Sequence, residues 1–101
     1  MKTVIVTRMT VELPSEMYPG GDEENVYADM TAPYCFATMD EAKSDIEEAV
    51  RMEFTESDRY VVKDIVRVPR NGGWSVTVWY DGGRTEFHAT AVELNREEYT
   101  P

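Results

Sequence analysis

The sequence predicts a single α+β domain: a mostly antiparallel sheet of four to five strands with one amphipathic helix packed on a face. Three observations lead there. Segments that alternate apolar and polar residues surround one segment of helical period. The turns between the later segments are short and carry glycine. The length of 101 residues is enough for one domain and too little for two. At 42% hydrophobic and 11% aromatic, the chain can bury one core without a metal or disulfide. The expected order is β-(β)-α-β-β-β, in one domain covering residues 1–101.

Residues 3–13 alternate with period two, the mark of a strand. Ile5, Met9, Val11 and Leu13 share one face with Thr7, while Val4, Val6, Arg8, Thr10 and Glu12 share the other. Val4 and Val6 make the first half apolar on both faces, as in a central, doubly covered strand. Residues 14–25, PSEMYPGGDEEN, hold two prolines, a glycine pair and an acidic triplet, so they read as an acidic loop. A second extended stretch follows over residues 26–36, and Pro33 within it implies an edge position or a bulge.

The helix starts at TMDEAKSDIEEAV, residues 38–50. Thr38 as N-cap and Glu41 at the third helical position make a capping box, and Asp40 and Glu41 suit the positive end of the macrodipole. Ala42, Ile46, Ala49 and Val50 form the apolar stripe, with Met39 and Phe54 at its border. Glu53 falls within that stripe, so regular helix should stop over residues 52–54, with TESD, residues 55–58, as exit loop. A three-stranded meander completes the chain. Its strands are residues 59–68, 74–80 and 84–94, joined by turns over 70–73 and 81–83. Trp74, Val76, Val78 and Tyr80 share one face of the middle strand, and Ser75, Thr77 and Trp79 the other. Residues 95–101, NREEYTP, are a polar tail.

Charge is unevenly placed. The chain carries 20 acidic and 10 basic residues, a net charge of −10. Residues 1–58 hold 14 acids against 4 bases, and residues 59–101 hold 6 of each. Such a balance opposes direct binding to nucleic acid, which needs an excess of Lys and Arg, and docking on an anionic membrane leaflet. It favours a basic partner. On a helical wheel, Asp40, Glu41, Asp45, Glu47 and Glu48 cover the face opposite the apolar stripe. Lys43–Glu47 and Glu47–Arg51 are spaced for i,i+4 ion pairs, which leaves Asp45 and Glu48 without a cap or a partner. Asp22, Glu23 and Glu24 would extend the same surface if the fold brings them near. Two readings stay open: a solvated helix face, or carboxylates that imitate a phosphate backbone.

No catalytic pattern stands out, and no enzyme activity is expected. Cys35 and His88 are the single Cys and His. One of each cannot close a tetrahedral zinc site. Cys35 reads as a small buried hydrophobe and His88 as a strand histidine. The glycine pairs belong to hairpin turns, not to phosphate-binding loops opening a helix, so no cofactor is expected. The absence of a secretory h-region, a membrane-length apolar run and a second cysteine points to a cytoplasmic protein. Trp79, beside Ser75 and Thr77, sits on the less buried face and is an interface candidate.

In size, acidity and lack of catalytic residues the whole chain resembles the small acidic α+β inhibitors of phages and mobile elements, of the anti-CRISPR and DNA-mimic type. The segment FATMDEAKSDIEEAV is also similar to the helix of HicB-type antitoxins. The chain then departs from that pattern, continuing into a meander rather than a DNA-binding helix or ribbon. The first resemblance implies an inhibitor that occupies the basic groove of a nucleic-acid-binding protein. Its contact residues would be Asp40, Glu41, Asp45, Glu47, Glu48, Asp22, Glu23, Glu24 and Trp79. The alternative is a structural or regulatory module that assembles, as a homodimer for example, through a sheet edge or exposed aromatics, its acids serving solubility.

Overall fold

The structure, a computed structural model, describes residues 2–12 and 27–93. Strands β1 (Lys2–Glu12) and β2 (Tyr27–Phe36) precede helix α1 (Met39–Val50) and a π-helical turn (Arg51–Thr55). Strands β3 (Val62–Arg70), β4 (Gly73–Tyr80) and β5 (Gly83–Glu93) follow. The five strands form one sheet in the order β2-β1-β5-β4-β3, with every ladder antiparallel. The α+β class and the element order are therefore those the sequence predicts. The acidic loop, the polar tail and residues Leu13, Val26 and Leu94 lie outside the described residues.

One face of the sheet meets one stripe of the helix. Ala42, Ile46 and Val50 of α1, with Phe54 of the π turn, pack on Val4, Val6, Phe87, Ala89, Trp74, Val76, Val78 and Tyr80. Met39 borders the cluster, half-buried, as the wheel anticipates; Ala49, expected within the stripe, is only half-buried beside it, and Phe54, expected at the border, lies inside it. Period two on the strands and period 3.6 on the helix thus converge on a single core, where each large side chain contributes about 1.5–3 kcal/mol. Thr38 caps the helix: its hydroxyl oxygen accepts from the Glu41 N–H at 3.2 Å.

The helix end differs from expectation. The α-helical ladder stops at Val50, but winding continues through Thr55, closed by the Glu56 N–H donating to the Arg51 carbonyl at 2.8 Å. That i to i+5 closure widens the turn by one residue. The widening turns Phe54 down into register with Val50 and swings Glu53 outward, where it meets Arg8 at 2.8 Å. Thr55 is thus the last helical residue, not the start of an exit loop.

Each strand carries a refinement. β1 is interior, as expected, but only its Val4 and Val6 face lies under the helix; Ile5, Thr7 and Met9 on the other face stay partly exposed. Pro33 fulfils both of its readings. β2 is an edge strand, and its register slips between the pairs Val6↔Tyr34 and Arg8↔Thr31, leaving one extra residue on β2. Cys35 is not buried: it pairs with Ile5 on the face turned away from the helix and is exposed. β3 begins at Val62 rather than at residue 59, because Tyr60 leaves the ladder to pack on Phe54 and Tyr80, with ring centroids at 5.0 and 4.6 Å.

The two glycines that follow Asp81 do different work. Gly82 takes the positive φ of the hairpin turn, 95°. Gly83 gives space: a Cβ there would stand 2.3 Å from the Val11 carbonyl oxygen and 3.1 Å from the Glu12 Cα, both backbone atoms. Gly83→Ala is expected to cost about 1–3 kcal/mol, since β1 and β5 must part to admit it. The urea midpoint should fall with an unchanged m-value. An unchanged midpoint would mean the two strands approach less closely than described.

Candidate functional site

Four of the five helix acids gather around one surface depression. Asp40, Glu41, Asp45 and Glu48 line a hollow of about 430 Å³ together with Phe36 and Ser44, where α1 overlies β2. Asp40 and Glu41 are fixed there by the Thr38 cap, and Asp45 and Glu48 follow one turn on. Asp45 also accepts a hydrogen bond from the Tyr34 hydroxyl at 3.1 Å, so it does have a partner. Burial, reinforced by that carboxylate, raises the Tyr34 phenol above its ordinary value. The phenol therefore stays protonated and donates to the carboxylate. Glu48 has no salt-bridge or hydrogen-bond partner among the described residues. Further along, Asp45 and Glu48 continue into a second shallow hollow of about 420 Å³ with Ala49, Met52 and Glu53.

Glu47 belongs to the other flank. Its carboxylate takes both Nε (2.5 Å) and Nη2 (2.8 Å) of Arg67 on β3, a bidentate pair. The i,i+4 partners expected from the sequence are engaged elsewhere: Lys43 lies over the Trp74 ring at 5.6 Å, and Arg51 is 3.7 Å from Glu56. The Arg67 hydrogen bond holds the Glu47 carboxyl below its ordinary value of 4.5. A depressed folded-state value gives stability that is present above 4.5 and is lost as pH falls through the folded value. Both side chains are more than a third exposed, so the pair is worth only about 0.5 kcal/mol after solvent screening. Glu47→Gln should remove that increment at neutral pH and flatten the acid limb of a stability titration. A parallel acid limb would show the pair to be without effect.

Trp79 stands apart from these acids, on the sheet face turned away from the helix. It is 42% exposed, with the Arg84 guanidinium 5.4 Å from its ring. The structure therefore does not join Trp79 to the acidic surface. Asp22, Glu23 and Glu24 lie outside the described residues. Cys35 and His88 also sit on the turned-away face, with β1 between their strands. Two strand spacings, about 10 Å, exceed hydrogen-bond reach. His88 instead lies 3.4 Å from Glu86.

Arg8, Tyr34 and Arg67 are the contributors that sequence reasoning missed. Arg8 lies over Phe87 and Phe54, at 5.1 and 5.9 Å, and so reaches Glu53. Each of the three comes from a strand and reaches across to α1 or to the turn that continues it. The period-two pattern does place all three on the helix side of the sheet, which is the one signal available. Residues 40–48 cover about 12 Å of helix axis. With Glu47 neutralised, four carboxylates remain, spaced at about 4 Å per charge, near the roughly 3.4 Å per charge along one nucleic-acid strand. Such a row can attract a basic surface and neutralise it; it offers no nucleophile and no enclosed cleft.

Fold and site together define a one-helix, single-sheet α+β domain with an acidic surface on the exposed side of its helix. The chain matches no family model, no curated protein and no solved structure.

Proposed function

We propose that this is a non-enzymatic binding protein that presents the acidic surface of α1 to the basic groove of a nucleic-acid-binding protein and so excludes nucleic acid from it. A single observation carries the reading: Asp40, Glu41, Asp45 and Glu48 surround one hollow that no cation lines among the described residues, and Lys43, the cation of α1, lies over Trp74. Glu47 drops out of the contact set because Arg67 neutralises it. Phe36 and Met52, beside the acids, supply apolar contact. An inhibitor of the anti-CRISPR or DNA-mimic type acts in this way, by steric and electrostatic competition.

The free, exposed thiol of Cys35 fits a reducing cytoplasm. No helix among the described residues is long and apolar enough to cross a membrane.

The test is competition. Immobilised nucleic-acid-binding proteins carrying labelled nucleic acid are challenged with this protein at low and high salt. Displacement that weakens with salt and disappears in the variant Glu41→Lys, Asp45→Lys, Glu48→Lys supports the reading. Equal displacement by wild type and variant refutes it. A second reading, an interaction module that assembles through its sheet, is favoured by a different observation: the face carrying Trp79 has no covering element among the described residues.

A further inference from the structure

We infer that the sheet face turned away from the helix, on which no described element packs, is a self-association surface, and that two copies stack through it with their helices outward. The residues on that face follow from the register. Met30 pairs with Met9, Val66 with Thr77, Val68 with Ser75, and Trp79 with Asp64 and Arg84. Met30, Val66, Val68 and Trp79 are 65, 39, 41 and 42% exposed, and no described element packs on them. Val66, Val68 and Trp79 adjoin across β3 and β4 as one exposed apolar patch, with Met30 apart on the opposite edge strand, and such a patch marks an interaction surface.

Three observations choose a second copy as the occupant. The first is charge. In a chain of net charge −10, the described ionic residues of this face balance: Asp64 and Glu86 against Arg70 and Arg84. A two-fold stack brings each patch against itself, which requires a patch carrying both signs. Stacked sheets lie about 10 Å apart, and each helix adds about 10 Å outside its own sheet. The acidic rows then stand on the order of 30 Å from one another, well beyond the roughly 8 Å screening length at physiological salt.

The second observation is area. Five strands at about 4.8 Å, and the eight residues of β4 at about 3.3 Å, give a flat projection of about 600 Å². That is on the order of the roughly 800 Å² per partner of a stable interface. The third is that the neighbouring edge, β3, is obstructed against strand addition at two of its outward positions. On β3 the outward Ile65 N–H is taken by the Asp64 carboxylate at 2.9 Å, and Pro69, four residues on and facing the same way, has no N–H to offer. The other edge, β2, is broken by its bulge at Pro33, so the face is the better surface for a second copy.

Sedimentation equilibrium on the full chain tests this. At about 100 µM the wild type is expected at twice the 11.6 kDa of one chain, and the dimer should persist or strengthen in molar salt. Val66→Lys with Val68→Lys, and separately Trp79→Asp, should each give a monomer with unchanged far-ultraviolet circular dichroism. These side chains are exposed in one copy, so their replacement spares the core. Glu48→Lys should leave the dimer intact. A wild-type chain that is monomeric in molar salt, or a dimer that survives both face variants, overturns the inference. Neither result bears on competition by the acidic helix, which is read separately.

Discussion

Phe54→Ala is expected to lower the unfolding free energy by about 3–5 kcal/mol. A small domain has about 5–15 kcal/mol in total, so the variant should be close to unfolded at physiological temperature. The reason lies in where the ring sits. Phe54 is 2% exposed and stands between the helix and the far end of the sheet. It stacks on Tyr80 at 5.6 Å and tilts against Tyr60 at 5.0 Å, and Arg8 lies over it at 5.9 Å. Truncation empties the junction of the π turn, β3 and β4. Phe54→Leu keeps most of the volume and should cost about 1.5 kcal/mol or less. Urea denaturation of both variants gives the comparison. Equal costs for the two would mean that the volume leucine retains contributes nothing and the aromatic contacts carry the whole effect.

Reversing Glu41, Asp45 and Glu48 to lysine should slow association with a basic partner by about 10- to 1,000-fold at low salt, the range over which electrostatic steering acts. Six charge units change on one surface, and Glu41, Asp45 and Glu48 all line the same hollow. The effect should shrink as salt rises, because exposed charges are screened. Glu47→Lys is the internal control. Its carboxylate is already taken up by Arg67 on the other flank, so its reversal should slow association less than any of the three. A larger effect at Glu47 than at Glu48 would move the contact surface to the β3 side. The triple variant should fold, since none of the three side chains belongs to the buried core.

Much of the fold was legible in the chain because burial on one face leaves a period. The alternation Trp74, Val76, Val78, Tyr80 against Ser75, Thr77, Trp79 gave the two faces of β4, and Ala42, Ile46, Val50 gave the helix stripe. What the pattern could not carry was anything set by a single local irregularity. The stretch RYVV reads as continuous strand, yet Tyr60 turns to the aromatic cluster and a register shift follows Val62. At regular helical spacing Glu53 interrupts the apolar stripe, and the wider turn rotates it out. Cys35 looks buried between Tyr34 and Phe36, but an edge strand with one covered face leaves such a residue in the open.

The candidate site was legible as a set of residues, not as an arrangement. Helical spacing put the acids on one side of α1, but their division between two flanks depends on Arg67, twenty residues from Glu47. Asp45 reads as partnerless in the sequence because Tyr34 precedes the helix on a strand whose distance from it no spacing rule gives. Local pairing rules reach three or four residues; the cross-layer contacts that decide which acids keep their charge reach much further.

The ladder that joins β1 to β5 gives this domain an unusual vulnerability at its ends. It pairs Lys2 with Glu93 and Glu12 with Gly83, so the first and last strands lie side by side within the sheet. In most domains the terminal residues can be trimmed with little harm. Here β1 and β5 bring Val4, Val6, Phe87 and Ala89 to the core, and among the described strands β5 alone joins the β1–β2 pair to the β3–β4 pair by a ladder. Deleting β5 leaves two hairpins that share no ladder, and deleting β1 leaves β2 with no strand to pair with.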